Sequence, residues 1–149
     1  MKWTTWEDIG VDRMACAWLI TRVIDPDPTF VFVSAGQPPP ADAEAFDIPG
    51  VRLSHRRGHC SFHTMLREYG LDDAVLRRIA DIVDEADVVQ EAHVEPAAPG
   101  LDLLCRGLRC ISPDDLTALT HGLLLYDALY AQLAVDMELP RAPKPRGAL

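Results

Sequence analysis

Residues 11–33, VDRMACAWLITRVIDPDPTFVFV, place a helix directly before a strand, and this stretch decides the predicted fold class. Apolar side chains recur at helical spacing from Val11 to Ile24, which predicts an amphipathic helix. Pro26 and Pro28 end that helix, because proline lacks the amide hydrogen that a helix interior requires. The run that follows, TFVFVSA, is short, β-branched and aromatic, which predicts a strand.

The flanking sequence adds further strands and helices to this unit. We predict strands at KWTTW and at residues 51–54, and helices over about 62–69 (capped by Ser61), from Asp72, over 101–111 and from about 114 to Met137. The last helix is apolar on nearly every side, so we expect it at the centre of the fold. The pattern predicts an α+β class, a mostly helical single domain with a small sheet of two to four strands.

Composition limits the function classes that remain. The 149 residues carry a formal net charge of -9, which argues against nucleic-acid binding by this domain alone and against an anionic membrane surface. No secretory signal and no membrane-spanning stretch is evident, so we expect a cytoplasmic protein. Residues 1–138 read as one domain and 139–149 as a disordered, basic, proline-rich tail. There is no regular βαβ alternation and no glycine-rich phosphate loop, so we expect no nucleotide site. The chain is a possible homo-oligomer.

Histidines concentrate in residues 53–63, LSHRRGHCSFH. His55 ends a predicted strand and His63 opens the next helix, so the two side chains can converge on one ion across a short turn. His121 lies on the last helix, and a buried histidine must be hydrogen-bonded or ligated. With Asp87 as a further ligand, the set predicts a divalent metal site for zinc, iron or manganese, with an open position. The alternative is that exposed loop histidines bind nothing.

A second interpretation is a site for a small anion or another small-molecule ligand. Arg13 and Arg22 lie on the first helix, and the free amide groups at the start of the helix after residue 60 favour anions. Cys60 precedes that helix, where a thiolate would be stabilised, although a buried inert thiol is the commoner outcome. The competing explanation for the arginines is pairing with acids. For Asp127 we favour a structural salt bridge to Arg13 or Arg22 over catalysis.

Several segments, in order, resemble the C-terminal domain of the ChrB-type chromate-resistance family: VDRMACAWLITRVIDPDPTFVFV, FDIPGVRLSH, CSFHTML, IADIVDEAD and YDALYA. The resemblance runs from about Trp3 to Tyr130. It implies a role in bacterial chromate resistance, as a regulator of chromate efflux or an accessory to it. Longer members carry an additional N-terminal region associated with DNA-binding regulation, which we expect this chain to lack. Carried over residue by residue, the resemblance covers Asp12, Arg13, Trp18, Arg22, Asp47, Gly50, His55, Cys60, Phe62, Asp87, Tyr126 and Asp127.

Two positions depart from this family pattern. At His63 and at His121 the resemblance leads us to expect an acidic residue, and an exchange of carboxylate for imidazole keeps the capacity to bind a metal. We therefore expect a stand-alone domain of this type that binds one divalent metal through His55, His63, His121 and Asp87. The alternative is a non-enzymatic chromate sensor or accessory binding module, in which the anion is bound by the start of the helix after residue 60 and by Arg13, Arg22, Arg56 and Arg57. Further candidates for oxyanion or substrate binding are Asp12, Cys60, Tyr126 and Asp127. The sequence identifies no catalytic residue.

Overall fold

The structure is a computed structural model that describes residues 1–88 and 91–139. Within these residues, a parallel sheet has the strand order β2–β1–β3, with β1 at Lys2–Trp6, β2 at Thr29–Val33 and β3 at Glu44–Ala45. The helices are α1 (Val11–Leu19), α2 (Ser61–Glu68), α3 (Ala74–Asp87), α4 (Ala98–Ile111) and α5 (Asp115–Asp136). The predicted α+β class is confirmed. Residues 140–149 of the predicted tail lie outside the described residues.

The quoted stretch supplies α1 and β2, which form a parallel β1–α1–β2 unit with the preceding strand, although the sequence has no regular alternation of this kind. Parallel strands need a crossover, and α1 followed by a π-helical turn at Ile20–Ile24 supplies it. Trp3 pairs with Phe30 in the ladder, and its indole Nε1 donates a hydrogen bond to Asp25 Oδ2 at 2.9 Å, just beyond the π-helical turn. This bond joins the end of the crossover to β1.

The most buried helix is α1, in which every residue except Arg13 is buried. The last helix, α5, has the predicted length, but the prediction that it is buried on nearly every side is wrong. Leu116 and Leu124 are 55% and 70% exposed, so one side of α5 faces solvent. The close contact is at Gly122, where an added Cβ would lie 3.1 Å from Met14 Sδ. A helix that is apolar all round therefore does not have to be the central one.

Two local predictions around the histidine-rich segment are also wrong. Residues 51–54 form no strand; only Leu53 makes an isolated bridge, to Phe46. Ser61 does not cap α2 with its side chain, because the N-cap position is Cys60 and no cap hydrogen bond comes from that residue. The α2 amides are instead bonded by a carboxylate from α1, described below. Among the helices that the structure describes, none combines the length and apolarity needed to cross a bilayer.

Candidate metal centre

Asp12, in the first turn of α1, holds the N-terminus of α2. Its Oδ2 accepts the Ser61 N–H at 2.7 Å, and its Oδ1 accepts the Phe62 N–H at 2.9 Å. The first amides of a helix have no partner within the helix, so an acceptor from another element satisfies them. The Asp12 side chain is only 1% exposed. This carboxylate therefore joins two helices and carries a buried charge at their junction.

The imidazole of His55 lies next to three carboxylates. Its Nε2 is 3.2 Å from Asp12 Oδ2, 3.4 Å from Asp47 Oδ1 and 3.1 Å from Asp87 Oδ2. We call Asp12, Asp47, His55 and Asp87 the carboxylate cluster. The ligand atoms of Asp12, His55 and Asp87 all lie within 4.8 Å of one another, which is close enough for one metal ion. The predicted association of His55 with Asp87 is thus present in the structure.

Asp47 is held in place by its own neighbours. Its backbone φ is +48°, a left-handed conformation that aspartate tolerates better than most residues. Ser61 Oγ donates to Asp47 Oδ1 at 2.6 Å, and Arg13 Nε pairs with Asp47 Oδ2 at 3.1 Å. Arg13 therefore supplies a positive charge beside the cluster. A cleft of about 560 Å3 opens above it, lined in part by Asp12, Arg13, Asp47, His55 and Asp87.

The ionisable groups of the carboxylate cluster shift one another's pKa values. Contacts with Asp12 and Asp47 raise the pKa of His55 to about 10. Burial, with the charges of Asp12 and Asp47, raises the pKa of Asp87 to about 6. Burial and the neighbouring charge of Asp47 also raise the pKa of Asp12, against the effect of its hydrogen bonds. The cluster therefore holds more negative charge than its surroundings stabilise, and the His55 proton is the cation that partly balances it.

A second group, which we call the histidine cluster, consists of His59, His63 and Asp84. Asp84 Oδ2 lies 2.6 Å from His59 Nδ1, and Asp84 Oδ1 accepts the Cys60 N–H at 2.6 Å. The rings of His59 and His63 stack with centroids 4.1 Å apart and an interplanar angle of 11°. Burial and the neighbouring His59 lower the pKa of His63. A carboxylate on α3 thus accepts the Cys60 N–H, and a carboxylate on α1 accepts the N–H groups of Ser61 and Phe62.

The structure does not bring His55, His63 and His121 together, so the predicted three-histidine site is wrong. The ligand group that contains His63 is the histidine cluster, which does not include His55. His121 is exposed on α5, not buried as predicted, and its Nδ1 lies 3.3 Å from Ser112 Oγ. Among the described residues, His121 belongs to neither group of potential metal ligands.

Most of the residues predicted for an anion site are engaged with acids or buried. Arg22 pairs with Asp127 at 2.8 Å, and Trp18 Nε1 donates to the same carboxylate at 2.8 Å. The structural salt bridge that we favoured for Asp127 is therefore present. The Tyr126 hydroxyl is buried and donates to the Val11 carbonyl at 2.7 Å.

The start of α2 is likewise unavailable to an anion. Cys60 is buried, and burial together with nearby carboxylates raises the pKa of its thiol, which disfavours a reactive thiolate. The amides of Cys60, Ser61 and Phe62 already bind carboxylates, so an anion would have to displace them.

Sequence reasoning assigned no site role to Asp84 or His59, and it included Asp47 only as a position that the family resemblance covers. For Asp84 a signal exists: it interrupts the apolar stripe of α3, where it is 5% exposed, and a buried acid needs a partner. The partner, His59, is 25 residues away in sequence, so spacing alone could not identify it. The conformation that brings Asp47 to His55 also has no local signature in the sequence.

Comparison with known proteins gives a consistent result. The family described as ChrB, C-terminal domain, matches residues 3–133. Among curated proteins, the chain is 34% identical over 134 residues to Protein ChrB of Cupriavidus metallidurans. The alignment covers 89% of this chain but 41% of that relative, so the chain spans less than half of the relative's length. No solved structure matches the chain.

Proposed function

The chain belongs to the ChrB C-terminal domain family, and on that premise we propose that it is a metal-binding domain of a chromate-resistance system. In this proposal the carboxylate cluster binds one divalent metal ion on the floor of the cleft. Asp12, His55 and Asp87 are the ligands, and Asp47 is a further oxygen donor. This revises the predicted ligand set, keeping His55 and Asp87 and replacing His63 and His121 with carboxylates.

The observation that supports the proposal is the excess of acceptors around one nitrogen. A single imidazole N–H has one proton to share, but three carboxylate oxygens lie within 3.1–3.4 Å of His55 Nε2. A metal ion accepts several donors at once. With metal–ligand bonds of about 2.1 Å, neighbouring donor atoms of a tetrahedral or octahedral site lie about 3.0–3.4 Å apart. The distances from His55 Nε2 to the three carboxylate oxygens have this size.

The charges support the same occupant. A ligating His55 is neutral, and three carboxylates against the guanidinium of Arg13 then leave two negative charges, which is the charge that one divalent cation balances. A donor set rich in carboxylate oxygen, with one imidazole, favours manganese or iron(II) over softer or nitrogen-preferring metals. Such an ion would supply a Lewis acid facing a cleft that is large enough for a small molecule or oxyanion.

The test is binding of Mn2+ by calorimetry and electron paramagnetic resonance to wild-type protein and to Asp87→Asn. Asp87 ends α3 and is partly exposed, so its replacement should leave the fold intact. Asp136→Asn is the matched control, because Asp136 ends α5 and is exposed. We expect one Mn2+ per chain and a loss of affinity of at least about 100-fold in Asp87→Asn only. Binding that is absent from the wild type, or equal in all three proteins, would overturn the proposal.

A further inference from the structure

We propose that the histidine cluster is a second metal site, separate from the carboxylate cluster and selective for zinc. The ligand atoms of His59, His63 and Asp84 lie within 4.8 Å of one another. Two imidazoles and one carboxylate form a donor set suited to Zn2+, which leaves a further position open. The site brings together side chains from the loop before α2, from α2 and from α3.

The unpaired nitrogen of His63 is a second observation that points to a ligand. His63 Nδ1 is buried and has no hydrogen-bond partner among the residues that the structure describes. A buried polar atom without a partner destabilises the fold, so such atoms are rare unless something else satisfies them. In metal sites, the second nitrogen of each ligating imidazole usually finds an outer partner. The ring of His63 stacks on the ring of His59. In this proposal, a bound ion or another group outside the described residues pairs with His63 Nδ1.

Asp84 is oriented as the carboxylate of a metal site should be. Its Oδ1 accepts the Cys60 N–H at 2.6 Å, which leaves Oδ2 directed to His59 Nδ1. Hydrogen bonds of this kind preorganise a ligating carboxylate, so it loses little freedom when an ion binds. The Asp84 side chain is 8% exposed, and the Cys60 N–H and the His59 ring stabilise its charge at that depth.

A depression that is distinct from the first cleft reaches His63, although neither His59 nor Asp84 lines it. His63 lines a depression of about 580 Å3 together with Arg67, Arg77, Asp72 and Asp81. None of these residues lines the cleft above His55. An ion can therefore reach His63 without passing the carboxylate cluster, and the two sites can fill independently.

The experiment uses the Asp87→Asn background, in which the carboxylate cluster is disabled. Zn2+ binding is measured by calorimetry, and Co2+ is used as a coloured substitute whose visible spectrum reports imidazole ligation. We expect one Zn2+ per chain in Asp87→Asn, and a loss of affinity of at least about 100-fold when His63→Gln is added. His93→Gln is the control, because His93 is an exposed histidine outside both clusters.

Each outcome decides between distinct explanations. Retention of zinc in Asp87→Asn, with loss on adding His63→Gln but not His93→Gln, supports the second site whatever happens to Mn2+ binding. Loss of all zinc in Asp87→Asn alone would mean one site, at His55, and would overturn the second. Zinc binding that is unaffected by His63→Gln, or equally reduced by His93→Gln, would overturn it as well. A folded protein is verified for each variant by its circular dichroism.

Discussion

The carboxylate cluster and the histidine cluster are built on the same nine-residue segment, His55 to His63, yet their donor sets are opposite. In the first, one imidazole lies among three carboxylates; in the second, two imidazoles share one carboxylate. Both carboxylates that reach the start of α2 also bind its amides, Asp12 from α1 and Asp84 from α3. In both clusters, therefore, a carboxylate from a neighbouring helix binds amides at the start of α2, and the difference in metal preference that we propose rests on the remaining donors.

The largest expected effect is a difference in the free energy of unfolding between variants of the two carboxylates that cap α2, Asp12 and Asp84. Asp12 accepts two buried amides and Asp84 accepts one, so Asp12→Ala should lower the free energy of unfolding by more, about 2–5 kcal/mol against about 1–3 kcal/mol for Asp84→Ala. Urea denaturation of metal-free protein measures both. Asp12→Asn is the control for Asp12→Ala, since its amide oxygen can still accept one N–H. Equal losses, or a loss below about 1 kcal/mol for Asp12→Ala, would show that capping is not the task of Asp12.

Next in size is the pH dependence of Mn2+ binding at the carboxylate cluster. His55 has its pKa raised to about 10, so at neutral pH the metal must displace its proton. Affinity should therefore rise about tenfold per pH unit, or about 100-fold from pH 7 to pH 9. Below about pH 6, protonation of Asp87 steepens the dependence.

Calorimetry over this pH range measures the slope, with manganese hydrolysis kept low by a weak competing chelator. In His55→Gln the slope above pH 7 should disappear, and Asp136→Asn serves as the unchanged control. A wild-type affinity that stays constant from pH 7 to pH 9 would mean that His55 is not a ligand.

The smallest effect concerns the stability of the metal-free protein. The pKa values of His55 and Asp87 are raised in the folded state, to about 10 and about 6, from ordinary values of 6.5 and 3.8. A raised folded pKa means that the folded state binds the proton more tightly, so the resulting stability is complete at low pH and is lost as pH rises. Asp87 contributes this loss between about pH 4 and 6, and His55 between about pH 6.5 and 10.

Thermal melts at pH 5, 7 and 9.5 measure this loss of stability. Because His55 is 45% exposed, solvent screens its contacts and the change should be modest. In His55→Gln the decline between pH 7 and 9.5 should flatten. A wild-type melting temperature that increases over that interval would contradict the assigned contacts of His55.

The strongly patterned elements could be predicted from sequence. The helix that opens at Val11 and the strand TFVFV lie where periodicity and β-branching placed them, because each pattern is local. β3 was missed, since two residues, Glu44 and Ala45, carry too little pattern to stand out in a proline-rich loop. The burial of α5 was misjudged because apolar composition does not say how many neighbours a helix has, and one side of α5 has none among the described residues.

The site was predicted in part, for a related reason. His55 and Asp87 were expected to share a metal site and lie 3.1 Å apart, although α2 and nearly all of α3 separate them in the sequence. His63 and His121 were assigned to the same site from their predicted positions and from their departure from the family pattern, and the structure separates them from His55. Contacts such as His59 with Asp84 depend on the packing of α2 against α3, which sequence spacing does not determine.

The most direct test of the account is a crystal structure of the protein grown or soaked with Mn2+, with data collected to reveal anomalous scattering from manganese. We predict one strong anomalous peak about 2.1 Å from His55 Nε2 and from carboxylate oxygens of Asp12 and Asp87. The account would be contradicted by an anomalous map with no peak beside His55, from crystals that contain Mn2+ at a concentration well above the dissociation constant measured in solution.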